Sequence, residues 1–186
     1  GGRSDYDRLG ICLRIERDTT VTVASETGLA SVSVVFAGPP AGNDPSSTYA
    51  ADVWGTYLGM MSGEFYTDLV TNGPFTDIST GYYTQRYAPA ITIGGSVPAG
   101  RSREALSALR AEIWQLCDTA YYDPAGIELA KEILARSRLL DAQTAHDLAV
   151  ESLPFWWALT GSLAYYETYP DSVSAVEMED VSRFLA

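Results

Sequence analysis

The spacing of apolar residues switches between a strand-like and a helix-like period along this chain. Thr20-Val21-Thr22-Val23 and Ala30-Ser31-Val32-Ser33-Val34-Val35-Phe36 are β-branched and roughly alternating, with Glu26-Thr27-Gly28 between them. They predict two strands, the second largely buried, because branched side chains fit a pleated sheet. Gly38-Pro39-Pro40-Ala41-Gly42-Asn43 breaks regular structure, and Asp44 or Ser46 can cap a helix behind it. Over residues 49–61, Tyr49, Val53, Trp54, Tyr57, Leu58 and Met61 recur at helical spacing. A shorter helix over 63–69 stops at Asn72-Gly73-Pro74, where glycine supplies a left-handed cap and proline blocks continuation.

Two further runs, 75–86 and 90–97, alternate again and predict an antiparallel pair joined near Ala88-Pro89. Gly94-Gly95 lacks the spacing and the following helix of a phosphate loop, so it predicts a bulge or a close backbone approach. The second half is helical. Leu106, Leu109, Ile113 and Leu116 mark one stripe with Ser102 as its cap, and Asp123-Pro124 opens another with Ile127, Ala130, Ile133 and Leu134. A third helix runs from beyond Asp141 towards Pro154, and one or two short helices follow. Ser174-Ala175-Val176-Glu177 matches a capping box ahead of Met178, Val181 and Phe184 or Leu185. This order predicts an α+β fold: a mainly antiparallel sheet with helices packed on one face.

Length and composition narrow the class. The chain has 186 residues with 46% hydrophobic content, which suits one domain. No apolar run approaches the roughly 18 residues of a membrane span. A net charge of -12 argues against nucleic acid or an anionic lipid surface as partner, since both need clustered Lys and Arg. The two cysteines, Cys12 and Cys117, lack metal-ligand spacing, and Cys117 follows an apolar helical stripe that predicts a buried position. Gly1-Gly2-Arg3-Ser4-Asp5 has none of the regions of a signal peptide, and Ser182-Arg183-Phe184-Leu185-Ala186 stops in mid-helical pattern. We therefore expect residues 1–186 to be one domain of a longer, multi-domain chain.

Several local motifs resemble the second domain of pitrilysin/insulysin-type zinc peptidases, the inverzincins, whose relatives include mitochondrial processing peptidase and the respiratory core proteins. The strand Ser31-Val32-Ser33-Val34-Val35-Phe36-Ala37-Gly38-Pro39-Pro40 and the helix end Tyr57-Leu58-Gly59-Met60-Met61-Ser62-Gly63 begin the match. Residues 64–78 are similar to the family's short helix and following strand. Gly126-Ile127-Glu128-Leu129-Ala130-Lys131 looks like its Glu-Leu-x-x-Ala-Lys segment, and Val176-Glu177-Met178-Glu179-Asp180-Val181 its closing Val-Thr-x-Glu-Asp-Val. The resemblance covers about residues 19–186.

The departures bear on function. The family's catalytic domain holds zinc with two histidines of H-x-x-E-H and a distal glutamate, whereas this chain has a single histidine, His146. Catalytic and metal residues are therefore expected to be none here, with zinc expected in a partner catalytic domain. Active members often provide from this second domain an arginine and, six residues on, a tyrosine that support the oxyanion. The resemblance places those positions on Val70 and Thr76, which cannot do that work. Arg86 and Tyr87 are adjacent, so on a strand they face opposite sides and are no substitute.

The resemblance implies a non-catalytic domain that forms part of a peptide-binding chamber and the interface with a catalytic half. Its expected partners are a homologous catalytic domain, in cis or in a second subunit, and a peptide substrate. Thr76, Ile78, Thr80, Ile91 and Ile93 are the candidate substrate-binding residues, because an extended peptide adds to a sheet edge and fills pockets beside it. Two alternatives stand beside this. The parent protein can be a scaffold without proteolysis, or the chain an unrelated α+β module whose aromatics Phe155, Trp156, Trp157, Tyr165 and Tyr166 line a ligand pocket. Recurrence through a helical segment favours core packing for those aromatics.

Overall fold

A computed structural model describes residues 19–23, 26, 28–41, 45–87, 89–140 and 144–185. Three strands form the sheet: β1 (Leu29–Ala37), β2 (Ser79–Tyr82) and β3 (Ala90–Pro98). Their order is β1-β3-β2, both pairings are antiparallel, and β3 is central. Registers such as Val34↔Ile93 and Thr80↔Ile93 place Ala30, Val32, Val34, Thr80, Tyr82, Ile91, Ile93 and Val97 on one face. Among the described residues helices cover that face alone, so the predicted α+β class describes the molecule.

The first helix, α1 (Pro45–Leu58), packs against β2, and α3 (Ser102–Gln115) packs against β1 and β3. Behind α1 lie α4 (Pro124–Leu140), α6 (Ala164–Ser174) and α7 (Met178–Leu185), so α1 is nearly surrounded. Its residues Ala50, Ala51, Val53, Trp54 and Leu58 are accordingly buried. Between α1 and β2 the short α2 (Glu64–Tyr66) continues into a π-helical turn at Thr67–Thr71 and seats Phe65 and Leu69 in the core. A second such turn, Asp147–Ser152, leads into α5 (Leu153–Thr160), which Gly161 ends in a left-handed conformation, φ 77°. No helix among the described residues is long and apolar enough to cross a membrane.

Side chains lock the helices together at chosen points. Asp123 caps α4 as expected, accepting from the amides of Ala125 and Gly126 at 3.3 and 3.1 Å, while the Asp123 amide donates to the Tyr57 hydroxyl of α1. Trp54 donates to Tyr122, whose hydroxyl donates to the Leu116 carbonyl, so buried polar groups between α1 and α3 are paired. The close approach at Gly94-Gly95 is real and the register runs through it without a bulge: a Cβ on Gly95 would lie 1.9 Å from the Asp77 carbonyl oxygen.

Several local expectations are overturned. Residues 20–23 are irregular and exposed rather than a strand. The strand β1 is an edge strand in which only Val32 is buried, because β3 covers one side of it and α3 one face. Ser46 lies inside α1 rather than capping it, Ser102 likewise begins α3 without capping it, and Asp44 falls outside the described residues. Gly73 does not have positive φ; its lack of a side chain matters because a Cβ would meet the Leu69 and Asp68 carbonyl oxygens at 2.3 and 2.4 Å. The supposed capping box is split. Ser174 closes α6 by donating to the Pro170 carbonyl, and Asp180 accepts from the Glu177 amide ahead of α7.

Candidate functional site

Among the described residues, strands β1 and β2 each pair with a neighbour on one side only. The five residues expected from sequence to bind an added strand are not gathered on either edge. Ile91 and Ile93 belong to the central strand and face the helices, 5% and 1% exposed. Thr80 faces the same way and donates to the Gly55 carbonyl of α1 at 3.0 Å. Ile78 is half-buried against the core. Thr76 alone is exposed, and its hydroxyl and amide both donate to the Ser96 carbonyl, at 3.0 and 2.8 Å. Residues 76–77 are thereby clipped beside β3, with the Asp77 carboxylate accepting from the Ser96 amide.

The positions matched to the family's carbonyl-polarising pair are used otherwise. Val70 is half-buried against the core, and Thr76 serves the clip just described. Arg86 and Tyr87 lie in a bend rather than a strand, with the guanidinium 5.4 Å from the neighbouring ring centroid, so the opposite-faces argument does not apply to them. His146 is exposed at the start of a π-helical turn. Among the described residues no three His, Cys, Asp or Glu side chains converge as metal ligands, and these residues do not fit a zinc site of the H-x-x-E-H kind. Cys117 is exposed, contrary to expectation, because α3 ends at Gln115 and Leu116 takes the buried place. Cys12 lies outside the described residues.

A concave feature of the surface lies elsewhere. A cleft of about 400 Å³ opens at the end of β2 between α1, α4, α5 and α6, lined by Asp52, Tyr82, Tyr83, Thr84, Leu134, Ser137, Phe155, Trp156 and Tyr169. Asp52 lies in that lining, and its Oδ2 accepts from the Tyr169 hydroxyl at 2.7 Å. Tyr82 donates to the Pro39 carbonyl at 2.7 Å. Burial, with the Asp52 charge as a second cause, holds the Tyr82 phenol well above its ordinary range, although Thr84 partly opposes this. Burial likewise raises Tyr165 behind the cleft, against the opposing hydrogen bond to Thr48. Both phenols stay protonated and act as neutral hydrogen-bonding groups. Among the described residues the wall presents rings, hydroxyls and the Asp52 carboxylate.

The aromatic segment is divided between core and cleft. Trp156 and Tyr165 are buried and stacked at 5.1 Å, with Tyr49 stacked on Tyr165 at 5.0 Å, which is the packing expected. Phe155 and Trp156 also line the cleft, while Trp157 points to solvent, 58% exposed. Sequence inspection missed Asp52, Tyr82, Tyr83 and Tyr169. A signal was present for the first: Asp52 is the sole charged residue in the otherwise apolar and neutral α1.

No protein-family model and no curated protein matches the sequence. Solved structures do match in fold. The inactive peptidase domain of a candidate zinc protease from Bordetella parapertussis superposes with TM-score 0.76 at 20% identity, over 89% of this chain and 88% of that one. A protease from Helicobacter pylori matches with TM-score 0.74 at 15% identity, over 87% of this chain but 39% of its own. An M16 peptidase inactive domain from Pseudomonas fluorescens matches with TM-score 0.69 at 15% identity, over 85% of this chain and 37% of that one. This chain therefore has the fold of inactive M16-type peptidase domains, and it spans well under half of the two longer chains.

Proposed function

We propose that this chain is the non-catalytic half-domain of a zinc-metallopeptidase-like protein, where it walls a peptide-binding chamber and packs against a catalytic half. The observation that carries this is the end-to-end likeness to the Bordetella inactive peptidase domain, over 89% of one chain and 88% of the other. The residue set agrees with an inactive role: one histidine in the whole chain and no convergent ligand group among the described residues. Zinc and the water it activates belong to the partner domain in this reading, supplied in cis or by a second subunit.

The sheet suggests how each role is divided. An extended peptide would add along the outer edge of β2, guided by exposed Thr76 and the backbone of residues 78–82, while Thr80, Ile91 and Ile93 hold that edge in place from the core side. The homologous half would meet the uncharged edge β1, where Leu29, Val35 and Phe36 are 53%, 48% and 38% exposed. The test is co-expression with a domain that carries H-x-x-E-H. A stoichiometric complex that hydrolyses an unfolded peptide, with neither part active alone, is the expected result. A chain that binds one zinc tightly and cleaves peptide unaided would sink the proposal, and so would failure of the two domains to associate.

A further inference from the structure

The outer side of α3, turned away from the sheet, carries side chains that neither strand edge uses. Arg103, Ser107, Arg110 and Trp114 follow one another at intervals of four, three and four residues, the spacing of a single helical face, and all four are exposed. The opposite side of the helix buries Ala105, Leu109 and Glu112. Trp114 is 79% exposed, whereas Trp54 and Trp156 are 3% and 8% exposed in the core. An indole left in water holds a large apolar area that a partner can still bury. We propose that this face of α3 docks an acidic amphipathic helix of a partner polypeptide, whose carboxylates meet Arg103 and Arg110 and whose apolar side chains cover Trp114.

Charge decides the kind of partner. Both acids of α3 are engaged: Arg101 holds Glu104 through bonds of 2.9 and 2.6 Å, and buried Glu112 accepts from Tyr121 and Gln115. Lys131, Arg136 and Arg183 are each paired with an acid of their own helix, but Arg103 and Arg110 make no ion pair among the described residues. The charge that α3 leaves to meet a partner is therefore cationic, on a chain whose net charge is -12. That net charge repels nucleic acid and anionic bilayers, which present phosphates far beyond the reach of two arginines. A short acidic segment brings only the charges that these arginines can meet. Arg103 and Arg110 are two helical turns apart, about 10 Å along the axis, so carboxylates two turns apart on a partner helix match them. Each guanidinium can take a carboxylate through two parallel hydrogen bonds, and Trp and Arg are enriched among the residues that dominate interface energies. The face lies in the helix layer and not on the strand edges given above to peptide and catalytic half, so the two readings fail separately.

The experiment titrates the whole chain into a labelled helical peptide that bears two glutamates two turns apart with leucines on the same side, and into its twin with glutamine at both positions. Anisotropy reports affinity, and the amide resonances that shift report where the peptide sits. Saturable one-to-one binding with shifts centred on α3 is expected, the glutamine twin being weaker by about tenfold. Arg103→Gln combined with Arg110→Gln should bring the two peptides to equal affinity, and Trp114→Ala should weaken both severalfold. These positions are exposed, so folding is not at risk. Arg183→Gln, an exposed cation on another helix, should change nothing. Equal affinity of the two peptides for the parent chain, full binding by the double variant or by Trp114→Ala, shifts centred away from α3, or no saturation in the millimolar range would overturn the proposal. Tighter binding to phosphatidylserine vesicles or to single-stranded DNA than to the acidic peptide would overturn it as well.

Discussion

The two faces of the sheet are built from neighbouring residues of the same strands, yet they obey different rules. On the covered face Ile91, Ile93 and Val97 are 5%, 1% and 0% exposed beneath α1 and α3. On the other face Ser31, Ser33, Ser79, Gly81 and Thr92 meet solvent. Apolar side chains on the first stabilise by leaving water, roughly 25 cal/mol per Å² of buried apolar area, whereas small polar ones on the second contribute little beyond backbone pairing. A one-residue shift in register would exchange the faces, so the pairing of β3 with both neighbours is strongly specified.

Substitutions on the two faces sharpen this contrast. Ile93→Ala opens a cavity on the covered face of the central strand and should lower stability by about 2–5 kcal/mol in urea titration. Gly95→Ala comes next. It also lies on the covered side of β3, and its new methyl would collide with the Asp77 carbonyl, so a loss of about 1–3 kcal/mol is expected by the same measurement. Equal stability of either variant with the parent would show that the covered face is not close-packed.

Glu112, on the helix that covers β1 and β3, tests the covered side differently. It is 4% exposed and accepts from the Tyr121 hydroxyl at 2.6 Å. Burial raises its carboxyl above the usual range, with Asp68 and Glu64 adding to the rise and the Tyr121 bond opposing it. The folded state therefore holds this proton more tightly than the unfolded state does. Its contribution is fully present at acid pH and is lost as pH rises from the ordinary carboxylate range through the raised folded value. Glu112→Gln should flatten that slope and change neutral-pH stability by about 1 kcal/mol or less. An unchanged slope in midpoints taken across pH would show that another group carries it. Thr92→Ala on the open face should fall within about 0.5 kcal/mol of the parent, the smallest effect in the series.

Much of this fold was legible in sequence because the strong signals are local. The alternation of residues 90–97, the cap at Asp123-Pro124 and the stripe of α3 each depend on neighbours in the chain, and each appears in place. What a strand faces is decided by distant partners. Alternation in β1 could not reveal that it lies at an edge, so its burial was overestimated. Ile91 and Ile93 were correctly strand residues, but the chain alone could not say which face α1 and α3 would cover. Cys117 shows the same limit at a helix end, where two residues beyond Gln115 separate a buried position from an exposed one. The cleft was invisible for a related reason: it draws on α1, α4, α5, α6 and the end of β2, and only the lone charge of α1 hinted at it.

The composition of β1 has a practical corollary. Nine consecutive residues, Leu29–Ala37, carry no charge and no proline at the rim of a sheet, and five of them are Val, Phe or Leu. Such a segment is a template for ordered stacking of identical chains into fibrils, since nothing along it repels a second copy. Samples kept concentrated without a companion should thicken with thioflavin-positive material, and a lysine in place of Ser33 should act as a gatekeeper that delays its onset.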